Sequence, residues 1–475
     1  MINLVLILPI IFCVFLFLVK NKTTNNIAIV SYSIIHSILG ILYFLKPELI
    51  KNTQYFALNS SNIVFYIVLS VVFLAVAFYN IPYSKNMEFD EKRIMRYSIM
   101  TLIFVMSMTG GILANNLGLA WIFIEGTTLA SAYLIYFNKT KHTIEAAWKY
   151  VFICSIGIAL AFVGIILLTV SQGNMNTLNY SELYQCAKNF NHFWLNIAFV
   201  FILFGMGTKM GLAPVHFWLP DAHAQAPSPI SALLSATLLN CAFLVILNVY
   251  KVLICADCVS FAKLMLLTMG VLSLFVTSVF LYHTTNYKRM LAYSSIENMG
   301  IIALATSLGG GAYFALMIHL IGHSLIKASY FLTAGNILEI FQSKKIKSVR
   351  ALGHVDKKTS WLWIASCLGI CAFPPSILFI SEFLIAKEMI LQKKYVLCFL
   401  FLFLLTIILF AMARVVFAML FDDKNEERFE RAKRNMPKMS GLMYLPQAVL
   451  LTLAFVLGLY LPKFLQEIMR NTIVG

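Results

Sequence analysis

The chain has 475 residues, 60% of them hydrophobic and 12% charged, with a formal net charge of +16 and a mean hydropathy of +0.84. Soluble globules are about half apolar and about a quarter charged, so this composition excludes a water-soluble enzyme and places the chain in lipid. The positive balance does not describe a nucleic-acid reader, because the cations sit in short loops between apolar runs with no aromatic-lined basic face around them.

An α-helix rises about 1.5 Å per residue, so about 20 apolar residues cross a hydrocarbon core of about 30 Å. At that length the sequence predicts an all-α polytopic membrane protein of about fourteen transmembrane helices. They fall at 2–19, 27–45, 58–79, 96–114, 117–137, 150–171, 193–213, 228–253, 261–283, 288–308, 313–340, 360–380, 395–421 and 442–465. The first span lacks a basic leading region and a small-residue cleavage site, so it reads as a retained helix and the mature chain as the whole chain. Residues 1–475 read as one integral membrane domain, with 1–95 holding the first three spans and 422–438 forming the longest hydrophilic loop. Lys and Arg concentrate in the odd-numbered loops, which assigns those loops to the cytoplasm and both termini to the outer side.

An ionised side chain at the bilayer centre costs at least about 2.5–3.5 kcal/mol on insertion scales, so such residues tend to line a wet interior and carry function. In chain order they are Glu125, Lys209, Glu297, Lys327, Glu382 and Arg414. The bland explanation of each is a structural ion pair or a side chain snorkelling from a span end. For Glu125, Lys209 and Lys327, placed mid-span, and for Glu382, just past a break, the functional explanation is the better one.

The seventh span runs into Lys209-Met-Gly-Leu-Ala-Pro214, and the twelfth into Phe373-Pro374-Pro375 followed by Glu382. Both are apolar spans broken by proline, and the second lies five spans after the first, an odd step, so they cross the membrane in opposite directions. Matching breaks in two halves are the sequence mark of inverted repeats around a midplane ion site, here 96–253 (spans 4–8) and 261–421 (spans 9–13). The freed carbonyls and amides need polar neighbours or water, and water supplies a proton path. A desolvated lysine beside a mobile carboxylate can take up and release a proton, which makes Glu125 and Lys209 a pump element without a redox group.

His216, His223, His319 and His323 sit in or beside these helices, and neutral imidazole passes a proton between its two nitrogens. His319, His323 and Lys327 are spaced by four and so share one helix face, which reads as a relay. Asp221 lies in the same stretch as His216 and His223 and joins the supporting group with Glu297. The nine cysteines are scattered through apolar sequence as small hydrophobes, and the lone CxxC at Cys255 and Cys258 has no second pair to complete a metal site. No nucleotide loop, flavin fingerprint or iron–sulfur spacing appears. The expectation is no cofactor and no metal in this chain, with electron chemistry on other chains.

The stretch Gly207-Thr-Lys-Met-Gly-Leu-Ala-Pro-Val-His-Phe-Trp-Leu-Pro-Asp-Ala-His223, continuing Ala224-Gln-Ala-Pro-Ser-Pro-Ile-Ser-Ala-Leu-Leu-Ser235, resembles the signature of the antiporter-like subunits of respiratory complex I. Met290-Leu-Ala-Tyr-Ser-Ser-Ile-Glu-Asn-Met-Gly300, His319-Leu-Ile-Gly-His-Ser-Leu-Ile-Lys327 and Pro374-Pro-Ser-Ile-Leu-Phe-Ile-Ser-Glu-Phe383 extend the likeness over about residues 95–425. Within that superfamily the Ser-Ser-Ile-Glu and His-Ser-Leu-Ile-Lys stretches look most like the component F branch of hydrogenase-4, a membrane [NiFe]-hydrogenase related to complex I. Mrp-type cation/proton antiporter subunits share much of the pattern.

The resemblance implies a proton channel whose fifth-helix glutamate is Glu125, whose seventh-helix lysine is Lys209 and whose twelfth-helix ionisable group is Glu382. One position departs: where complex I subunits commonly carry a second lysine in helix 8, this chain has Asn240, which does not titrate. Lys327 and the histidines of the eleventh span would then carry the central relay. The implied setting is a bacterial inner membrane and a redox-driven complex of the hydrogenase-4, formate-hydrogenlyase or NADH:quinone type. Its partners would be further antiporter-like subunits, a quinone- or hydrogenase-facing membrane subunit and iron–sulfur proteins. An Mrp-type exchanger without redox partners and a scaffold with a vestigial channel are the rival readings.

Overall fold

The computed structural model describes residues 2–474 except 20, 47, 49, 61, 88 and 422–438, with the backbone alone described at 471–474. The predicted hydrophilic loop at 422–438 thus lies outside the described residues. The chain folds as helices α1 (Ile2–Leu18), α2 (Lys22–Leu45), α3 (Ile63–Asn86), α4 (Glu91–Leu113), α5 (Leu117–Tyr136) and α6 (Lys141–Ser171). After a short helical turn come α7 (His192–Met210), α8 (Leu219–Gln225) and α9 (Ser228–Cys255). Then follow α10 (Ser260–Tyr282), α11 (Tyr287–Leu308), α12 (Ala312–Phe341), α13 (Lys357–Ile370), α14 (Ile377–Leu391), α15 (Tyr395–Phe421), α16 (Leu445–Leu459) and α17 (Lys463–Val474).

Among the described residues ten helices are long and apolar enough to cross a membrane: α2 to α7, α9, α10, α12 and α15. The other predicted spans differ for identifiable reasons. α1 has 17 residues and α16 has 15, and α16 meets α17 at a bend of 85°. α11 is long enough, but Lys288, Arg289, Glu297 and Asn298 make it more polar than these ten, and most of it is buried by protein. The predicted 360–380 span is two helices, α13 and α14, separated by residues 371–376 around Pro374 and Pro375. The 150–171 span starts nine residues early, at Lys141, because Thr140 and Thr143 form a reciprocal capping box there.

α9 and α12 are buried all round and form the centre, whereas α6 and α15 expose rows of large apolar side chains such as Phe152, Phe399 and Phe410. A helix apolar on every side belongs inside a bundle, and one apolar outward as well as inward faces lipid or another membrane chain. Glycines set the closest approach on which the first part of the site depends. A Cβ on Gly205 of α7 would stand 2.5 Å from the Gly157 carbonyl of α6, so only small residues let these helices touch. That contact brings Tyr150 of α6 against Lys209 of α7.

Candidate functional site: a chain of buried charges between two helix breaks

α7 ends one residue after Lys209 and is capped by Gly211, whose φ of 79° is the left-handed conformation glycine adopts without strain. Backbone groups freed by the break are met by specific partners. Trp218 Nε1 donates to Thr208 O (2.7 Å), and Ala213 N donates to Ser273 Oγ of α10 (2.9 Å). The second break is closed the same way: Ser376 Oγ donates to Gly369 O (2.9 Å) and caps α14 by accepting from Leu378 N.

Lys209 is 0% exposed, and its ammonium donates to the Tyr150 hydroxyl at 2.8 Å. Tyr150 in turn shares a 2.6 Å hydrogen bond with Ser131, which donates to Thr127 O. Glu125 sits nearly two turns from Ser131 on α5 and accepts from Thr128 Oγ1 at 3.0 Å. The Glu125 carboxylate is near enough to act electrostatically on Lys209, yet the two form no direct ion pair. Lysine and glutamate therefore stand at two ends of a patch of hydroxyls.

Lys327 is also 0% exposed, and among the described residues it too lacks a carboxylate partner in direct contact. Its ammonium donates to Leu291 O (2.7 Å) and Ser294 Oγ (2.6 Å) of α11. The predicted shared face of His319, His323 and Lys327 is buried throughout: Lys327 meets α11, His323 meets α9, and His319 lies between α11 and α14. His323 Nε2 lies 3.4 Å from the Ser235 carbonyl, so this nitrogen carries the proton, and its Nδ1 has no partner among the described residues. Ser235 belongs to a π-helical turn, Leu234–Leu238, a device common at functional sites.

His319 lies between Asn298 Oδ1 (3.1 Å from Nε2) and Ser381 Oγ (2.9 Å from Nδ1). Asn298 donates its amide to Ser294 O, which fixes Oδ1 as the group facing the ring, so Nε2 donates. Ser381 also reaches Leu378 O at 2.8 Å. If the ring is neutral, Ser381 can turn its hydrogen to Nδ1; if it is protonated, Nδ1 donates and the serine hydrogen goes to Leu378 O. A proton can thus arrive at His319 with only a hydroxyl rotation.

Glu382 and Glu297 line a cavity of about 200 Å³ with Cys371, Thr406 and aliphatic residues of α15. Glu297 is 5% exposed. Asn240 of α9 is buried against α12, donating to Ser324 Oγ (2.7 Å) and to Ala236 O. His223 is fully buried, stacks on Phe331 of α12 (5.1 Å between ring centres), and has no partner among the described residues at either ring nitrogen. His216 is buried against Phe217 with Nδ1 likewise unpartnered.

Asp221 is placed differently from the rest. It pairs with Lys149 (3.2 Å) and with Arg289 in a half-open polar pocket of about 640 Å³, at the loop end of α6, α8 and α11. Arg414 is exposed, stacks on Tyr282 and donates to its carbonyl (2.6 Å), which is the structural role. All nine cysteines are free, and among the described residues no group of three His, Cys, Asp or Glu could hold a metal ion.

The structure adds residues that the sequence pattern does not mark. Tyr150 and Ser131 join Lys209, and Asn298 and Ser381 flank His319; as uncharged residues in apolar spans they give no charge signal. Lys288 does carry charge, but its place at the first residue of a predicted span assigns it to a loop. It is 0% exposed, with Nζ donating to Ala226 O at 2.7 Å.

A multi-pass helical membrane protein with lysines buried beside two broken helices is the class this geometry defines. Comparison with known proteins makes the class specific. Residues 114–411 match the family described as NADH:quinone oxidoreductase/Mrp antiporter, TM, and the chain belongs to that family. It is 32% identical over 426 residues to the hydrogenase-4 component F homolog of Methylacidiphilum infernorum (isolate V4), covering 87% of each chain. Among solved structures it is similar to a chain of the membrane-bound sulfane sulfur reductase, an archaeal respiratory membrane complex (TM-score 0.89, 23% identity, 100% of this chain and 98% of that one). It is likewise similar to a chain of the Mrp complex from Dietzia sp. DQ12-45-1b (TM-score 0.85, 15% identity, 99% and 96%). At these identities the two structures establish the fold.

Proposed function

We propose that this chain carries protons across a bacterial inner membrane as one subunit of a redox-driven complex of the hydrogenase-4 or NADH:quinone type. Its own catalysis is transport. The observation that carries this reading is the pair of fully buried lysines, Lys209 and Lys327, each held by neutral oxygens and not by a carboxylate in direct contact. A permanent structural cation would need a close ion pair or a strong set of charge-assisted bonds to offset several kcal/mol of lost hydration. A group that alternates between ammonium and amine needs neutral partners able to donate or accept, and the Tyr150 and Ser294 hydroxyls do both.

In this reading Glu125, Lys209, Lys327 and Glu382 carry the relay, supported by His216, Asp221, His223, His319, His323 and Glu297. The chain crosses the membrane fourteen times as one domain. α13 with α14 makes the twelfth span, and spans 4–8 and 9–13 form two inverted repeats, with both termini outside. Moving one charge against 100 mV takes about 2.3 kcal/mol, and the chain has no visible fuel, so partner subunits deliver it. Those partners are other antiporter-like subunits, a hydrogenase- or quinone-facing membrane subunit and iron–sulfur proteins. The carboxylate cavity at Glu297 and Glu382 and the likeness to the Mrp chain support a second reading, a cation/proton antiporter subunit without redox partners.

Purifying the tagged native complex from membranes and identifying what co-purifies tests both. Recovery of a nickel–iron hydrogenase large subunit or quinone-reducing proteins, with redox-driven proton movement lost in Lys209→Ala, is the expected result. Recovery of small antiporter-type membrane subunits alone would replace it with the exchanger.

A further inference from the structure

A proton relay needs a route to water on the side of the basic loops, and two features that the relay leaves unused lie between it and that side. The first is the polar pocket of about 640 Å³ whose lining includes Gln225, Thr285, Asn286, Arg289 and Lys345. The second is Lys288 of α11, fully buried although its neighbour Arg289 reaches the pocket. Its ammonium donates to the Ala226 carbonyl, immediately after the pocket residue Gln225.

As a structural cation Lys288 is poorly provided for. Among the described residues it has no carboxylate in ion-pair contact, and the like charge of Lys344, whose Nζ donates to Gln225 Oε1 at 3.0 Å, is close enough to repel it. A neutral amine would serve the Ala226 carbonyl as a donor at far lower cost in lost hydration. His223 stands in α8 just before Ala226, and the Ser231 hydroxyl reaches the carbonyls of both, at 3.0 and 3.4 Å; both His223 ring nitrogens lack a partner among the described residues in a fully buried place. Buried imidazole nitrogens without protein partners are met by water, and two of them on one ring make it a bridge. The His223 ring stacks on Phe331, one turn along α12 from Lys327, whose face His323 shares, so the groups run in order from pocket to relay.

We infer that the pocket is the aqueous port by which protons reach the relay, with Lys288 the first buried proton carrier and His223 the second. The inference rests on the proton-translocating reading above. In each passage an O–H bond of a hydronium in the pocket breaks as an Nζ–H bond of Lys288 forms, and an Nζ–H bond then breaks as, through water, an N–H bond forms on a His223 ring nitrogen, returning Lys288 to the amine. Protons are conserved and no oxidant or reductant takes part. The ion pairs of Asp221 with Lys149 and Arg289 hold the rim of the port.

Arginine and methionine at position 288 separate carriage from anchoring. Arginine keeps a donor for Ala226 O but does not release its proton, and methionine keeps the volume without charge. Both Lys288→Arg and Lys288→Met, assembled in the native complex and reconstituted in vesicles, are expected to slow redox-driven proton movement at least tenfold while the complex still transfers electrons. Full proton movement in Lys288→Arg would show an anchoring ammonium and overturn the inference. Thr285→Cys, lining the port, gives a second measurement that leaves the buried groups intact. Its modification by a membrane-impermeant cationic thiol reagent is expected to block proton movement from one side only, with the unsubstituted complex as control for native cysteines. A modified variant that still moves protons normally would equally overturn the port. Lys209→Ala measured alongside keeps the cases apart: if it too leaves proton movement intact, the translocating reading fails, and if it alone is impaired, the port fails.

Discussion

The two halves of the site use the same device and finish it differently. Each places a fully buried lysine where a broken helix lends its polarity, in α7 and beside α13 and α14. Around Lys209 the partners are hydroxyls, Tyr150 and then Ser131, with Glu125 at the far end. Around Lys327 they are hydroxyl and carbonyl of α11, then two imidazoles, then two carboxylates facing a cavity. The first half is short, with hydroxyls between its lysine and its carboxylate; the second is longer, with imidazoles where the first has hydroxyls. Between them stands Asn240, bonded to Ser324 and unable to take a proton, so in the proposed relay the second half's histidines do the work of a missing basic group.

The comparison breaks first at the lysines. If both halves are obligatory, Lys209→Met and Lys327→Met each slow proton movement about 10²–10⁴-fold, the usual contribution of a positioned acid–base group. Proton uptake in vesicles measures this, and a variant of either half that keeps its rate makes that half dispensable. Tyr150→Phe is a milder cut: it removes the hydroxyl that accepts from the Lys209 ammonium, at a cost of about 1–3 kcal/mol for a buried group left unmade. The expected result is a loss of about tenfold or more in rate, with His319 and its neighbours unaffected in spectra of labelled histidine.

Gly211→Ala asks whether the first break is held as tightly as the wiring requires. The left-handed φ and a Leu219 methyl group that the new Cβ would meet both oppose it. A stability loss of about 1–2 kcal/mol is expected, with a lowered thermal midpoint of the complex. Asn240→Leu sharpens the role of the centre: it removes two hydrogen bonds worth about 0.5–1.5 kcal/mol each but no titrating group, so proton movement should stay within about threefold. A larger loss would give Asn240 a part in conduction. The smallest effect belongs to the rim, where Glu145→Gln loses a solvent-exposed pair with Lys149 that water and salt screen. Unchanged thermal stability of the complex would confirm that rank.

Much of this was legible in order along the chain. Uninterrupted apolar runs predict helices because lipid offers the backbone no other partner, and Lys209, Lys327 and Glu382 stand out because charge in such runs is costly. Boundaries were less legible where a local signal overrode composition. The capping box at Thr140 lengthens α6, and the prolines at 374 and 375 divide a run of suitable length into α13 and α14. Arg414 shows the limit of the charge signal, since inside a predicted span it lies at the surface over Tyr282. Lys288 shows the converse, a cation at a span end that is wholly enclosed.

The sequence by itself determined the solvent, the helical class, the places of the breaks and the buried charges at Lys209 and Lys327, because each depends on the composition or spacing of a contiguous segment. Tertiary structure alone decided what each charge touches. Tyr150 meets Lys209 because Gly157 and Gly205 let α6 and α7 approach, and Asp221 pairs at a rim because Lys149 and Arg289 converge there from distant segments. Hydrogen bonds are settled over about 3 Å between side chains far apart in sequence, a distance set by helix packing that no local pattern encodes.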